Sequence, residues 1–122
     1  MQSKIPARRI RLKRAYLPAA SDDGMRVLVD RLWPRGVKKS EAAIDLWAKD
    51  LAPSASLRQW FAHDVERWPQ FRRRYRAELG GQGDELSRLR TLARRGTMTL
   101  VFAARDEQHN DAVVLREVLL GR

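Results

Sequence analysis

Two short runs in this chain are apolar at every position, Val27-Leu28-Val29 and Leu100-Val101-Phe102. Side chains alternate between the two faces of a strand, so a strand stays apolar throughout only where both faces are covered. Such strands lie in the middle of parallel sheets, and parallel neighbours need a long crossover, usually helical, between them. The chain between the two runs carries helical periodicity. The expectation is therefore a small three-layer α/β single domain with a mostly parallel sheet flanked by helices. It would span 1–122, with 1–7 as a flexible arm.

The flanking pattern fills in the other elements. Ile10, Leu12 and Tyr16 alternate with Arg9, Arg11 and Lys13, which predicts a half-exposed strand with a basic outer face that also blunts a sheet edge. LPAASDDG, with the pair Asp23-Gly24, reads as a turn. Ser40 is placed to open a helical turn. Ile44 to Leu51 alternates well enough for another short strand, with a helical reading also open. Ser54 or Ser56 would cap a helix that carries Leu57, Trp60 and Phe61 on one face. Trp68, Phe71, Tyr75 and Leu79 predict an amphipathic helix from about Pro69 to Gly80-Gly81, with Arg72, Arg73, Arg74 and Arg76 on its other faces. Asp84 would cap the next helix, with Leu86, Leu89, Leu92 and Ala93 inward and Arg88, Arg90, Arg94 and Arg95 outward. Asn110 or Asp111 would cap the last, where Val114 pairs with Val118 and Leu115 with Leu119 at a spacing of four.

Composition narrows the chemistry. Lys and Arg number 25 against 15 Asp and Glu, a formal charge of +10. Such an excess favours an anionic partner, either a small molecule or nucleic acid, although an arginine-rich soluble surface gives the same count. There is no cysteine, so thiolate catalysis, disulfides and cysteine-ligated metals are excluded. Two histidines are too few for an ordinary metal site, and no metal or cofactor is expected. Gly80-Gly81-Gln82-Gly83 falls between helices and reads as a linker, not a phosphate loop. No apolar run approaches the roughly 18 residues of a membrane span, and no apolar region follows the basic start MQSKIPARRIRLKR. A cytoplasmic protein away from membranes is the expectation.

Two loops concentrate unusual residues. The first follows Val29 and holds Asp30, Arg31, Trp33, Pro34, Arg35, Gly36 and Lys38. Arginine forks bind phosphate or carboxylate bidentately, and an aromatic beside them can stack on a base. The second runs from Arg105 to Asn110, between a central strand and a helix, where free N–H groups and the helix dipole favour an anion. If the two apolar strands are parallel neighbours, Arg31, Arg35, Asp106, His109 and Asn110 would share one crevice at their carboxyl ends. The candidate ligand-binding set is Asp30, Arg31, Trp33, Arg35, Lys38, Asp106, His109 and Asn110. Asp106 and His109 are the candidate acid and base, and no nucleophile accompanies them. Structural roles compete for each: an Asp30–Arg31 pair, Trp33-Pro34 as a lid on the core, Asp106 and Asn110 as helix caps. Trp33 and Trp47 are candidates for lining a pocket, while Trp60 and Trp68 sit on inward helical faces.

The strings RVLVDRLWPRGVKK, DLWAKDLAPS, LRQWFAHD, FRRRYRAEL and LVFAARDEQHNDAVVLREVL resemble, in that order and over nearly the whole chain, the YeaO-like branch of the domain-of-unknown-function family 488. The resemblance implies a compact α/β domain and no assigned activity. Other branches look like strand–Cys–x–Glu and Cys-His-Arg at the last strand–helix junction. Here Phe102 or Ala103 and His109-Asn110-Asp111 stand in those places, so cysteine-dependent chemistry does not carry over. Three functions remain open. One is binding of a nucleotide or nucleic-acid phosphate without catalysis. Another is an enzyme acting on such a ligand through Asp106 or His109. The last is nucleic-acid binding through the arginine-rich helix and basic first strand.

Overall fold

The computed structural model describes residues 4–122. Its four strands form one parallel sheet in the order β1-β4-β2-β3. They are β1 (Ile10–Arg14), β2 (Met25–Leu28), β3 (Leu46–Trp47) and β4 (Met98–Phe102). The helices are α1 (Lys39–Ala42), α2 (Ala55–Phe61), α3 (Trp68–Leu79), α4 (Gly83–Arg95) and α5 (Asp111–Leu119). The two apolar runs are neighbours, with Val27 beside Leu100 and Leu28 beside Val101. β4 is buried at every position, as a strand paired on both sides and covered on both faces should be.

The faces differ in what covers them. Ile10, Val27, Met98, Leu100 and Phe102 point into the main core with side chains of α2 to α5. Leu28, Val101 and Ala15 point the other way, beneath Trp33, Val37, Ile44 and Trp47. The second covering layer is therefore the loop between β2 and β3 with one turn of helix. It also contains charge: Asp23 and Arg26, each 3% exposed, are 2.6 Å apart, and Lys13 Nζ lies 3.1 Å from the same carboxylate. Arg26 Nε donates to the Ala42 carbonyl at 2.9 Å, which ties α1 to the sheet.

Several boundaries differ from the periodicity. The alternation over Ile44–Leu51 yields only two paired residues, because Lys49–Leu51 closes into a 3₁₀ turn. α1 begins before Ser40, with Lys38 at its N-cap position. Ser54, not Ser56, caps α2, accepting from the Leu57 amide at 3.2 Å. Asp84 does not cap α4: the helix starts at Gly83 behind Gln82, and Asp84 sits in the first turn, where its charge suits the helix dipole. Arg90 is half-buried and not outward, donating to the Val118 and Leu119 carbonyls at 2.8 and 3.2 Å at the end of α5. Of the arm expected over 1–7, residues 1–3 lie outside the described ones. Ala7 opens a 3₁₀ turn, and its carbonyl accepts from Arg116 at 2.9 Å.

Candidate functional site at the carboxyl edge of the sheet

In a parallel sheet all carboxyl ends face one edge, so the segments after β1, β2 and β4 and the start of α5 meet there. Specific bonds join them. Asp30 Oδ2 accepts from the Ala103 amide at 2.8 Å, which links the exit of β2 to the exit of β4. The Asp30 carbonyl accepts from Trp47 Nε1 at 2.7 Å, which adds β3. Arg14 Nε donates to the Ala104 carbonyl at 2.9 Å, which adds β1. Asp30 does not pair with Arg31, whose Nε lies 3.3 Å from the Pro53 carbonyl.

The Asp30 side chain also interacts with that of Asp111, the first residue of α5. Burial pushes the Asp111 carboxyl well above the usual carboxylate range, and the charge and hydrogen bond of Asp30 push it the same way. The two carboxyl groups thus favour the protonated form of Asp111. Tyr75 lies behind them. Its hydroxyl donates to the Leu51 carbonyl at 2.6 Å, and burial, followed by the charges of Asp111 and Asp30, raises its phenol.

The start of α5 is closed by the chain itself. Asn110 is buried; its Oδ1 accepts from the Val113 amide at 3.1 Å and its Nδ2 donates to the Asp106 carbonyl at 2.9 Å. Asp111 Oδ1 accepts from the Ala112 amide at 2.9 Å. Asp106 Oδ1 accepts from the amides of Gln108 and His109 at 2.9 and 3.0 Å, and its Oδ2 meets His109 Nδ1 at 2.9 Å. The Gln108 amide and then the His109 ring hold the Asp106 carboxyl below its ordinary range. The His109 ring stands edge-on to Trp68, with centroids 5.2 Å apart. The amides that would have met an anion are therefore occupied by Asn110, Asp111 and Asp106.

Among the described residues the loop cations make no hydrogen bond or ion pair with this set. Arg31, Arg35 and Lys38 are exposed, and none forms an ion pair among the described residues. The Arg35 carbonyl accepts from Tyr16 Oη at 2.9 Å, which pins the loop to the end of β1. Trp33 is a lid. Its Nε1 donates to the Val37 carbonyl at 2.7 Å and its ring stands edge-on to Trp47 at 5.5 Å. Beneath it the seam among Leu28, Val37, Ile44 and Val101 has no room for a water. Trp47 borders an open recess of about 270 Å³ shared with Lys49, Asp50, Glu85 and Arg88. Trp60 and Trp68 are half-buried against the main core. The structure thus joins Asp30 to the end of β4 and links Asp106, His109 and Asn110 to one another. It leaves Arg31, Arg35 and Lys38 on the rim without a direct bond to that set. Among the described residues no group of three or more His, Asp or Glu could hold a metal ion, and no helix is long and apolar enough to cross a membrane.

The sequence pattern placed Asp111 only as a helix cap and Tyr16 only in a strand alternation. A second carboxylate in the first turn of a helix that opens at a sheet edge was the available signal for Asp111. Nothing in the pattern around Tyr16 distinguished an exposed ring from a core one.

Residues 9–122 match the family model described as the inactive DUF488-N3 subclade. Uncharacterized proteins of Mycobacterium tuberculosis and Mycobacterium bovis are each 43% identical over 114 residues, covering 93% of this chain and 96% of theirs. The uncharacterized protein YeaO of Escherichia coli is 44% identical over 110 residues, covering 90% of this chain and 96% of its own. No solved structure matches the chain.

Proposed function

Because the chain belongs to the DUF488 family, in its inactive N3 subclade, we propose that it binds an anionic ligand at the carboxyl edge of its sheet and does not transform it. The ligand is the phosphate of a nucleotide or nucleic acid. The observation that carries this reading is the rim of Arg31, Arg35 and Lys38, exposed, free of carboxylate partners, and set on a loop anchored by the Asp30–Ala103 bond. Cations without carboxylate partners on an anchored loop are suited to phosphate, and the chain's +10 charge draws anions toward them. Self-capping of α5 moves the contact from the helix amides to these side chains. The chain has no cysteine, and its subclade is described as inactive, both of which favour binding over turnover.

The test is binding of a panel of labelled nucleotides and oligonucleotides. Arg31→Ala with Arg35→Ala should weaken binding at least ten-fold, while Arg73→Ala on α3 should leave it within two-fold, both rough scales for charge-assisted contacts. Loss through Arg73→Ala alone would move the site to the helix. That surface is less available, since Arg72 forks onto Glu117 at 2.9 and 3.0 Å and Arg74 lies over Trp60 at 4.5 Å.

One contact favours a second reading. The Asp106 carboxylate on His109 Nδ1 is the arrangement that orients an imidazole as a general base. Under that reading a nucleotide or oligonucleotide would be consumed, and Asp106→Asn would abolish turnover with binding intact.

A further inference from the structure

We propose that the ligand is single-stranded nucleic acid, laid across the rim with a base stacked on Tyr16; this rests on the phosphate-binding reading above and names its partner. Small ligands bind in concavities that bury most of their surface. Neither the closed seam under Trp33 nor the recess of mixed charge beside Trp47 contains Arg31, Arg35 or Lys38. Arg31, Arg35 and Lys38 are exposed, and exposed basic side chains along one loop suit an extended polyanion.

The same cations keep apolar company. Only four large hydrophobic residues are exposed among those described, and three are here: Tyr16 at 48%, Leu17 at 45% and Leu32 at 58%. Tyr16 and Leu17 follow β1, and Leu32 follows Arg31. Tyr16 is not loose. Its hydroxyl is bonded to the Arg35 carbonyl, and Arg14 covers one ring face with its Cζ 5.2 Å from the centroid. Arg14 is itself fixed by the Ala104 carbonyl. The ring is thus held at its hydroxyl and on one face, about half exposed, and is bonded to the backbone of the loop that carries the cations. Exposed aromatics between basic side chains are the platform single-stranded binders use, because unpaired bases offer stacking faces that a duplex keeps covered. Apolar side chains beside cations also fit an anionic lipid surface, but a ring fixed by two bonded neighbours suits a planar base better than an acyl chain.

The experiment is fluorescence anisotropy of a short labelled oligodeoxythymidylate with the full chain. Its arms are the same sequence as duplex, inorganic polyphosphate, and vesicles rich in phosphatidylserine. Single strand should bind more tightly than duplex or polyphosphate, with an affinity that falls steeply with salt. Tyr16→Ala should weaken it about ten-fold or more, and Tyr16→Phe, which keeps the stacking ring but loses the bond that fixes it, should weaken it much less. Circular dichroism would verify that both variants fold. If single strand and polyphosphate bind alike and Tyr16→Ala changes nothing, the stacking proposal falls while the phosphate rim stands. If Arg31→Ala with Arg35→Ala leaves oligonucleotide binding unchanged, or no phosphate polymer binds, both fall. Preferential binding to the vesicles, lost on Leu32→Ser, would replace the proposal with a membrane surface.

Discussion

Asp30 and Asp111 set two carboxyl groups against each other where β2 and β4 end, one from a loop and the other from the first turn of α5. Asp30 is also tied to the Ala103 amide, so this pair closes the edge on which the rim is built. Two neighbouring carboxylates cannot both ionise cheaply, and burial together with Asp30 pushes the Asp111 carboxyl well above its usual range.

The consequence is a pH dependence of definite sign. Groups facing Asp111 are Asp30 from the β2 loop, Tyr75 from α3 and its own Ala112 amide. Because the folded protein binds the Asp111 proton more tightly than the unfolded chain, this contribution is full below the ordinary carboxylate range. It is lost as pH rises through the raised value. Asp111→Asn supplies a neutral donor that needs no proton. It should raise stability at neutral pH by about 1 kcal/mol and flatten the decline toward alkaline pH. Urea unfolding of both proteins across pH would measure this. A less stable variant with an unchanged slope would mean that Asp111 works as a charged helix cap.

Asp23 has the opposite sign. Burial raises its carboxyl, but hydrogen bonds from Ala20, Lys13 and Arg26 outweigh this and leave it below 3.8. Its contribution is present above that value and is lost as pH falls through the lowered one. Removing one partner of a buried pair strands the other, at about 3 kcal/mol or more. Asp23→Ala should therefore destabilise strongly, since Arg26 is only 3% exposed and would lose its carboxylate. Lys13→Ala should do much less, as that side chain keeps 20% of its surface in solvent. Equal effects in denaturant melts would contradict this ranking.

These two pairs show what the sequence could disclose. The runs Val27–Val29 and Leu100–Phe102 were legible because both faces are buried there, while Arg26 and Thr99 just before them are buried polar residues held by hydrogen bonds. Their parallel pairing follows from the helices between them. Helices α3 and α5 were legible from spacing, since each buries one stripe. Asp23 read only as a turn residue, because a turn and a buried ion pair leave the same letters in the chain. Asp111 read only as a cap for the same reason. The convergence of Asp30 with the β4–α5 junction could be anticipated from topology, but the partner of Asp30 could not. That choice is made by the Ala103 amide and Asp111, not by its neighbour Arg31. β3 is the weakest case: Ile44–Leu51 alternates, yet the chain turns into a 3₁₀ segment after two residues.

Tyr75 connects the main core to this edge. It is fully buried, and its hydroxyl reaches the Leu51 carbonyl at the end of the 3₁₀ turn. Tyr75→Phe keeps the packing and removes that donor, leaving a buried carbonyl unbonded at about 1–2 kcal/mol. Thermal melts should fall by several degrees with the rim's binding unchanged. A variant as stable as the parent would indicate that the Leu51 carbonyl finds another donor.

Gly24 is the point at which backbone geometry leaves least freedom. Its φ of +65 lies in the left-handed region, and a Cβ there would stand 2.1 Å from the Thr97 carbonyl oxygen. That oxygen accepts from the Met25 amide at 3.0 Å, and Thr99 Oγ1 donates to the Asp23 carbonyl at 2.7 Å, so neither strand can draw back without breaking the start of the β2–β4 pairing. Gly36 is the natural control: its φ is +80, but no atom lies within 4 Å of the added carbon. Gly36→Ala should cost only the conformational penalty, about 1–2 kcal/mol. Gly24→Ala adds a collision with backbone and should destabilise by a further several kcal/mol, roughly the scale of the largest single substitutions. Comparing the two variants by urea titration separates the effects, and equal midpoints would show that the approach of Thr97 to Gly24 does not constrain the fold.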